Sequence, residues 1–182
     1  LEKAFDKVHH TSVLESLRQA GFESDVVRFL RILYGQQYAY VCLHSGCKSR
    51  LFQILRGVRQ GDPMSPALFN NVTRQVFSAL RAKWSRKGLG TIVGGTGTLR
   101  STHAMFADDT TLVASSKEDI ISMIKDVQAA LAEHGLNLNV GKCMVQTTCT
   151  GPQPNSLTIN GQQIPVVSAA TAGFKVLGTQ YT

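Results

Sequence analysis

Several features that define metal-stapled, disulfide-linked or membrane-spanning proteins are missing from this sequence. The four cysteines form no CxxC pair and have no histidine at the spacing of a zinc site, so we expect free thiols in a reducing compartment. No apolar run reaches the roughly 20 residues needed to cross a bilayer, and no charged and then apolar segment opens the chain. The sequence therefore predicts an intracellular protein, in the cytoplasm or the nucleus, with no membrane partner.

Acidic residues are also scarce. The chain has 12 Asp and Glu against 19 Lys and Arg, which gives a net charge of +7 at pH 7. This surplus favours a polyanionic partner, with nucleic acid the first candidate and an anionic membrane the second.

We find no internal repeat and no low-complexity tract. A composition of 43% hydrophobic and 17% charged residues over 182 positions is that of one globular domain. We expect a single domain over residues 1–182 and no second domain.

Two helices are predicted in the first part of the chain. One begins near Thr11 and ends at Gly21, and the next ends at Gly35. The buried face of the second helix is expected to consist of its apolar residues: Val26, Val27, Phe29, Leu30 and Leu33. Alternating apolar residues then predict two strands, 38–44 and 51–55, that pair as a hairpin.

A loop, a helix and a second strand pair follow. Glycine and proline mark residues 57–63 as a loop, and Pro66 is placed to open a helix that continues through Leu80. Apolar runs at 104–107 and 110–114 predict two strands with an acidic turn between them.

The last third of the chain is predicted to contain one helix and further strands. Ser116 and Asp119 resemble a capping box at a helix start, and Gly135 is the expected stop after that helix. A hairpin is predicted around residues 160–161, and residues 174–182 alternate partly like one terminal strand.

The acidic turn is the first candidate for chemistry. Asp108 and Asp109 are adjacent carboxylates, whose like charges repel and raise each other's pKa unless a divalent cation removes the cost. Two Mg²⁺ ions about 3.5–4 Å apart can hold the attacking and leaving oxygens of a phosphoryl displacement. The pair predicts a site for two Mg²⁺ or Mn²⁺ ions. A plain turn is the alternative, because Asp favours turns.

Two segments resemble reverse transcriptase motifs. Residues 106–109 resemble motif C, the F/Y-x-D-D motif that carries the catalytic carboxylates. Residues 57–70 resemble motif B as non-LTR (LINE-type) retrotransposons have it, G-x-x-Q-G-D-P-x-S-P-x-L-F. Glycines allow a backbone to approach a nucleotide closely, and Gln60 offers both a donor and an acceptor. The resemblance implies that Gln60 and Gly61 lie against the incoming nucleotide and the template-primer.

The beginning of the chain resembles motif A, which the family writes D-x-x-K-A-F-D-x-V. The first Asp of that pattern, the third catalytic carboxylate, falls just before Leu1, and Asp6 is not its replacement. Phe5 occupies the place of the aromatic steric gate that excludes a ribose 2′-OH. Simple core packing is the alternative role for Phe5.

Two more segments extend the resemblance toward the end of the chain. Residues 135–143 resemble motif D, with Lys142 in the place of the lysine that neutralises or protonates the pyrophosphate leaving group. A solvated lysine is the alternative. Residues 174–178 resemble motif E, the strand that grips the primer end. The motifs occur in the family's order, A to E, over nearly the whole chain.

The resemblance implies an α+β polymerase palm, in which a small antiparallel sheet carries the catalytic hairpin and is backed by helices, together with part of the fingers. The implied activity is that of an RNA-directed DNA polymerase, transferring nucleotides from dNTPs to a primer 3′-OH with two metal ions. The implied partners are an RNA template, a DNA primer, dNTPs and the rest of a polyprotein: N-terminal fingers, a thumb and an endonuclease.

Two alternatives remain open at this point. One is a decayed or domesticated palm that binds nucleic acid without catalysis, and the residue before Leu1 would discriminate it. The other is an intron-encoded maturase, which would carry a different domain after residue 182. Because the third carboxylate, the N-terminal fingers and the thumb are absent from the 182 residues, we expect the isolated fragment to be inactive.

Overall fold

The computed structural model describes residues 1–42, 44, 46–93, 99–106, 109–149, 151–168, 174–176 and 179–181. The helices are α1 (Ala4–Lys7), α2 (His10–Gln19), α3 (Ser24–Gly35), α4 (Ser65–Arg86) and α5 (Lys117–Ala132). The helices predicted near Thr11, before Gly35, at Pro66 and after Ser116 are confirmed. Among the described residues, no helix has both the length and the apolar character that spanning a bilayer requires.

The strands form small sheets in which antiparallel pairing predominates. They are β1 (Tyr38–Ala39), β2 (Phe52–Gln53), β3 (Thr91–Val93), β4 (Leu99–Ser101), β5 (His103–Phe106), β6 (Asp109–Leu112), β7 (Val145–Thr147), β8 (Ser156–Ile159), β9 (Gln162–Ser168), β10 (Phe174–Val176) and β11 (Thr179–Tyr181). β1 pairs with β2, β3 with β4, β5 with β6 and β10 with β11. β9 lies between β8, its antiparallel neighbour, and β7, its parallel neighbour. The predicted α+β class is confirmed.

The chain divides into two compact units. The N-terminal unit comprises Lys3–Val76 and His134–Leu136. The C-terminal unit comprises Leu1–Glu2, Phe77–Glu133 and Asn137–Thr182. The division falls inside α4, so this helix contributes residues to both units.

Two regions predicted as strands differ from the prediction in extent. The hairpin predicted from 38–44 and 51–55 is confirmed but short, with Tyr38 opposite Gln53. The single terminal strand predicted for 174–182 is wrong, because β10 and β11 pair with each other and place Phe174 opposite Tyr181. Antiparallel pairing lets the two segments satisfy each other's backbone groups, which one continuous strand would leave unpaired.

Polar residues define the starts of the two long helices. Asp62 Oδ1 accepts a hydrogen bond from Met64 N at 2.9 Å, and Asp62 O accepts one from Ser65 N at 3.1 Å. At α5, Ser116 Oγ accepts from Asp119 N at 3.1 Å, as the capping pattern predicted. These contacts satisfy backbone N–H groups that the first turn of a helix leaves without partners.

In the N-terminal unit, α3 presents a narrower buried face than its sequence predicted. Val27 and Leu30 are each 4% exposed and Tyr34 is 2% exposed. Val26 and Phe29 are 40% and 60% exposed, so the prediction that both are buried is wrong. Residues three, four or seven positions apart share one face of a helix. The face at 27, 30 and 34 is the one that packs, and positions 26 and 29 are rotated away from it.

In the C-terminal unit, an apolar cluster has Ile124 of α5, Ile159 of β8 and Ile164 of β9 at its centre. The partly buried side chains packed against it are Leu112, Ile120, Ile121, Leu138, Val140, Cys143 and Val145. Full burial of a large aliphatic side chain stabilises a fold by about 1.5–3 kcal/mol. The cluster therefore holds together β6, α5, the β7–β9–β8 sheet and the 3₁₀ turn Val140–Lys142.

Asn160 and Gly161 form the turn that joins β8 to β9. Their φ angles are 50° and 78°, and Ile159 pairs with Gln162 across the turn. Two successive left-handed residues are typical of a type I′ turn, whose twist matches that of the strands. The hairpin predicted at 160–161 is confirmed.

Candidate active site

The segment that resembles motif A places Phe5 against the helix of motif B. The Phe5 ring, partly buried, stacks on the ring of Phe69 in α4, with centroids 4.8 Å apart and 23° between the planes. Phe69 is fully buried. The backbone oxygen of Phe5 accepts a hydrogen bond from Val58 N at 2.6 Å. Both the ring and the backbone of Phe5 are therefore held by residues of the motif B segment.

The loop that begins motif B passes directly against the backbone of α1. Gly57 N donates to Val8 O at 2.8 Å. Gly57 has φ +92°, and a Cβ atom on it would lie 2.8 Å from Asp6 O. A side chain is excluded there both by the left-handed conformation and by the lack of space. This position needs glycine because two chain segments make close backbone contact.

Gln60 and Gly61, the candidate nucleotide contacts, are exposed on this loop. Gln60 Nε2 donates to Asp6 Oδ1 at 3.0 Å. Gly61 has φ +87°, but no atom lies within 4 Å of the position that its Cβ would take. Gly61 is therefore required by its backbone angle alone, and the space beside it is open.

His10, the first residue of α2, supports the same loop. Its Nε2 lies 2.9 Å from Gly57 O, and its ring centroid lies 4.8 Å from that of Tyr34. A carbonyl oxygen only accepts, so His10 donates this hydrogen bond. Burial lowers the pKa of His10, and the hydrogen bond to Gly57 opposes that shift. The residue therefore supports the loop mainly as a neutral imidazole near neutral pH.

The hairpin of the motif C segment is formed by β5 and β6. The two strands pair antiparallel, with Phe106 opposite Asp109 at the turn end. Asp109 is the first residue of β6 and is exposed. Asp108 lies outside the described residues. The strands predicted on either side of the acidic turn are confirmed.

Aromatic side chains pack against β5 within the C-terminal unit. The His103 ring lies 5.0 Å from Phe77 and 6.0 Å from Trp84, both in α4, measured between centroids. Its Nδ1 lies 2.9 Å from Thr102 Oγ1. Burial, with a smaller contribution from the nearby Arg81 charge, lowers the pKa of His103. The strand that leads into the acidic turn is thus fixed on the C-terminal half of α4.

A charged side chain joins α4 to α5 within the C-terminal unit. Asp126 accepts hydrogen bonds from Lys83 Nζ at 2.7 Å and from Trp84 Nε1 at 3.0 Å. Burial raises the pKa of Asp126, but these two hydrogen bonds and the charges of Lys83 and Lys87 outweigh it and hold the pKa below its usual range. Asp126 is therefore a fixed ionised contact between the two helices.

Lys142, the candidate leaving-group lysine, is exposed at the end of the 3₁₀ turn. Its backbone N donates to Asn139 O at 3.0 Å. The neighbouring Val140 and Cys143 pack on the apolar cluster of the C-terminal unit. The turn is anchored on its apolar side, and the lysine side chain is left in solvent.

The candidate residues therefore fall into two groups. Phe5, Gln60 and Gly61 lie in the N-terminal unit, where direct contacts join the motif A and motif B segments. Asp109 and Lys142 lie in the C-terminal unit, and no hydrogen bond or ion pair joins them within the part of the chain that is described. The sequence had not indicated the supporting contacts made by Phe69 or Asp6. A signal for them was present only in Gly57, because an obligatory glycine indicates close approach.

Asp109 is the candidate metal ligand that lies among the described residues. No group of three or more His, Cys, Asp or Glu side chains that could hold an ion occurs among the described residues, which exclude Asp108. The exposed carboxylate of Asp109 is a donor of the type that Mg²⁺ prefers, and Mg²⁺ typically takes only one or two protein carboxylates besides phosphate and water oxygens. The donor chemistry therefore fits such an ion. The four cysteines are free thiols.

Comparison with protein families gives one match over almost the whole chain. The family model described as reverse transcriptase (RNA-dependent DNA polymerase) matches residues 1–181.

Curated proteins of several transposable elements are similar to the chain. The Pol polyprotein of retrotransposable element R2 from Nasonia vitripennis is 32% identical over 79% of the chain, and that of element R2DM from Drosophila melanogaster is 30% identical over the full chain. The transposon TX1 149 kDa protein of Xenopus laevis is 29% identical over 75% of the chain. The chain spans 13%, 17% and 10% of the lengths of these proteins.

Proposed function

We propose that this chain, which belongs to the reverse transcriptase (RNA-dependent DNA polymerase) family, supplies the palm and part of the fingers of an RNA-directed DNA polymerase encoded by a non-LTR retrotransposon. The observation that carries the proposal is the family match over residues 1–181, within which motifs A to E occur in order. The contacts between the motif A and motif B segments support it. They hold Phe5, the proposed gate, next to the loop that carries Gln60 and Gly61, the proposed nucleotide contacts.

Each proposed site residue has a separate task. Phe5 limits the space at the sugar of the incoming nucleotide, and its stacking on Phe69 keeps the ring from turning away. Gln60 and Gly61 contact the nucleotide on the exposed side of the loop. Lys142 offers an exposed positive charge, and a proton, to the departing pyrophosphate.

Asp108 and Asp109 are the residues proposed to hold two Mg²⁺ or Mn²⁺ ions. When bound, such ions supply charge neutralisation at the phosphoryl group and orient the attacking and leaving oxygens. The chain holds the β5–β6 hairpin in place for these residues, because β5 packs on α4 and Leu112 of β6 packs on the apolar cluster.

The proposed partners follow from this chemistry. An RNA template and a DNA primer present phosphates to a chain with net charge +7, so we expect binding that weakens as salt is added. dNTPs are the proposed substrates, and the cytoplasm or the nucleus is the proposed place of action. Further parts of a polyprotein would supply the N-terminal fingers, the thumb and an endonuclease.

The test is primer extension on an RNA template by the full-length protein that carries this chain, with Mg²⁺ and with Mn²⁺. We expect template-directed dNTP incorporation that Asp108→Asn reduces by about a hundredfold or more, because a neutral amide binds these cations weakly. Asp25→Asn is the matched control, since Asp25 lies in the first turn of α3, outside every motif.

Three outcomes separate the competing functions. Full activity in Asp108→Asn contradicts the metal-site assignment. Primer-template binding without any incorporation by the wild-type protein favours a decayed palm that binds nucleic acid. Incorporation restricted to an intron RNA template favours a maturase.

A further inference from the structure

The amide of Gln60 is held by a partner that can accept hydrogen bonds but cannot donate one. Gln60 Nε2 lies 3.0 Å from Asp6 Oδ1. An ionised carboxylate only accepts, so the NH₂ end of the amide must face Asp6 and the carbonyl oxygen Oε1 must face away from it. A neutral partner such as Asn would allow either orientation. The charge of Asp6 therefore selects one of the two flipped states of Gln60.

The two side chains meet because their backbones are already fixed relative to each other. Val58 N donates to Phe5 O at 2.6 Å, and Gly57 N donates to Val8 O at 2.8 Å. These contacts bracket Asp6 on one segment and lead into Gln60 on the other. Little conformational freedom remains to be lost when the side chains bond, so the contact forms at low entropic cost.

We infer that Asp6 is a positioning residue, which presents Gln60 Oε1 as an acceptor to the incoming nucleotide. The inference rests on the proposed function, because it takes the nucleotide to lie against Gln60. It differs from the role of the metal-binding carboxylate of motif A, since Asp6 acts on a motif B side chain through a hydrogen bond. An orientation fixed before the nucleotide arrives lowers the cost of binding it.

The experiment is a double-mutant cycle in the full-length protein, made of wild type, Asp6→Ala, Gln60→Ala and the double variant. KM for dNTP and kcat are measured in single-nucleotide extension. We expect Asp6→Ala to raise KM about five- to tenfold, with kcat changed less than about twofold, as for a contact that contributes to ground-state binding. In the Gln60→Ala background the same substitution should change KM by less than about twofold, because its only route is gone.

Two further variants separate positioning from loss of structure. Asp6→Asn keeps the shape but lets the amide flip, so we expect a KM between those of wild type and Asp6→Ala. Glu15→Ala is the matched control, because Glu15 also accepts from a glutamine amide, Gln19 Nε2 at 3.3 Å, but lies in α2 away from the motifs. We expect its KM to stay at the wild-type value. Thermal unfolding of all variants is recorded alongside.

Each result bears on the inference. Multiplicative effects of Asp6→Ala and Gln60→Ala on KM would overturn it, as would a fall in kcat with a matching loss of thermal stability. An Asp6→Asn variant as impaired as Asp6→Ala would show that the negative charge acts by another route and would also overturn it. If the wild-type protein incorporates no nucleotide, the proposed function fails and the inference fails with it. Incorporation without coupling removes the inference alone.

Discussion

The two compact units hold their candidate site residues by different means. In the N-terminal unit, Phe5 and Gln60 are positioned by hydrogen bonds and by one ring stack. These contacts join the motif A segment to the motif B segment. In the C-terminal unit, Asp109 and Lys142 stand at the ends of elements whose apolar sides pack on one cluster.

The difference has a physical reason. Directional contacts such as hydrogen bonds fix the orientation of a side chain, and a residue proposed to select a nucleotide would need that fixed orientation. Apolar packing is non-directional and fixes the position of whole elements, which would suffice for a hairpin whose exposed carboxylate is proposed to be oriented by bound ions. We therefore expect the N-terminal unit to be sensitive to the loss of specific directional contacts, and the C-terminal unit to be sensitive to the loss of buried apolar volume.

The largest effect is expected from a hole in the apolar cluster. Ile159→Ala should lower the free energy of unfolding of the C-terminal unit by about 2–5 kcal/mol, because Ile159 is fully buried and its neighbours cannot fill the space. Hydrogen exchange of amides in α5 and β8 measures this. Ile92→Ala is the control, since Ile92 is 54% exposed, and should change the value by about 0.5 kcal/mol or less. Equal losses would contradict the assignment of the core.

A methyl group added at Gly57 is expected to break the backbone contact between Gly57 and Asp6 in the N-terminal unit. Gly57→Ala combines a left-handed φ of +92° with a contact to Asp6 O, and should cost about 2–4 kcal/mol. Gly61→Ala has a similar φ but open space, so only the backbone strain remains, about 1–2 kcal/mol. Denaturant-dependent hydrogen exchange in α2 reports both variants. The prediction fails if Gly61→Ala is the more damaging of the two.

A smaller effect is expected on sugar selection. Phe5→Val removes most of the ring that stacks on Phe69, and should raise incorporation of rNTPs relative to dNTPs by about tenfold in the full-length protein. Phe22→Val is the matched control, because Phe22 is 50% exposed in the same unit and lies outside the motifs. Unchanged discrimination in Phe5→Val, with dNTP use intact, would make Phe5 a packing residue.

The smallest effect concerns pH. Burial lowers the pKa of His103. Below about pH 6.5 the His103 side chain is therefore protonated in the unfolded chain but stays neutral in the folded chain. Stability of the C-terminal unit should fall as the pH drops through that value, until the lowered pKa of the folded state is reached. The contribution of Asp126, whose pKa is also lowered, is present above about pH 4 and is lost only at lower pH.

His103→Phe keeps an aromatic ring against Phe77 and Trp84 but removes the titrating group. Its C-terminal unit should lose less stability than wild type between about pH 7.5 and pH 5.5, as followed by hydrogen exchange corrected for intrinsic rates. His44→Phe, at an exposed position, serves as the control and should retain the wild-type slope. Identical slopes in all three proteins would exclude His103 as the source.

Much of the local structure and the family could be predicted from the sequence. The resemblance to reverse transcriptases is confirmed by the match over residues 1–181, and the two predicted strands on either side of residues 107–108 are confirmed. The roles of Phe5, Gln60, Gly61, Lys142, Asp108 and Asp109 stay predictions. Which apolar residues of α3 are buried could not be predicted, since Val26 and Phe29 fit helical spacing as well as Val27 and Leu30 do.

The sequence by itself determined the four longer helices, the capping of α5, the turn at 160–161 and the order of the motifs, because helical periodicity, caps and turns depend on residues a few positions apart. Only the tertiary structure decided that Asp6 meets Gln60, 54 positions away, and that His10 meets Gly57, 47 positions away. Contacts at such separations require the segments between them to fold and pack first, and no local pattern encodes that choice.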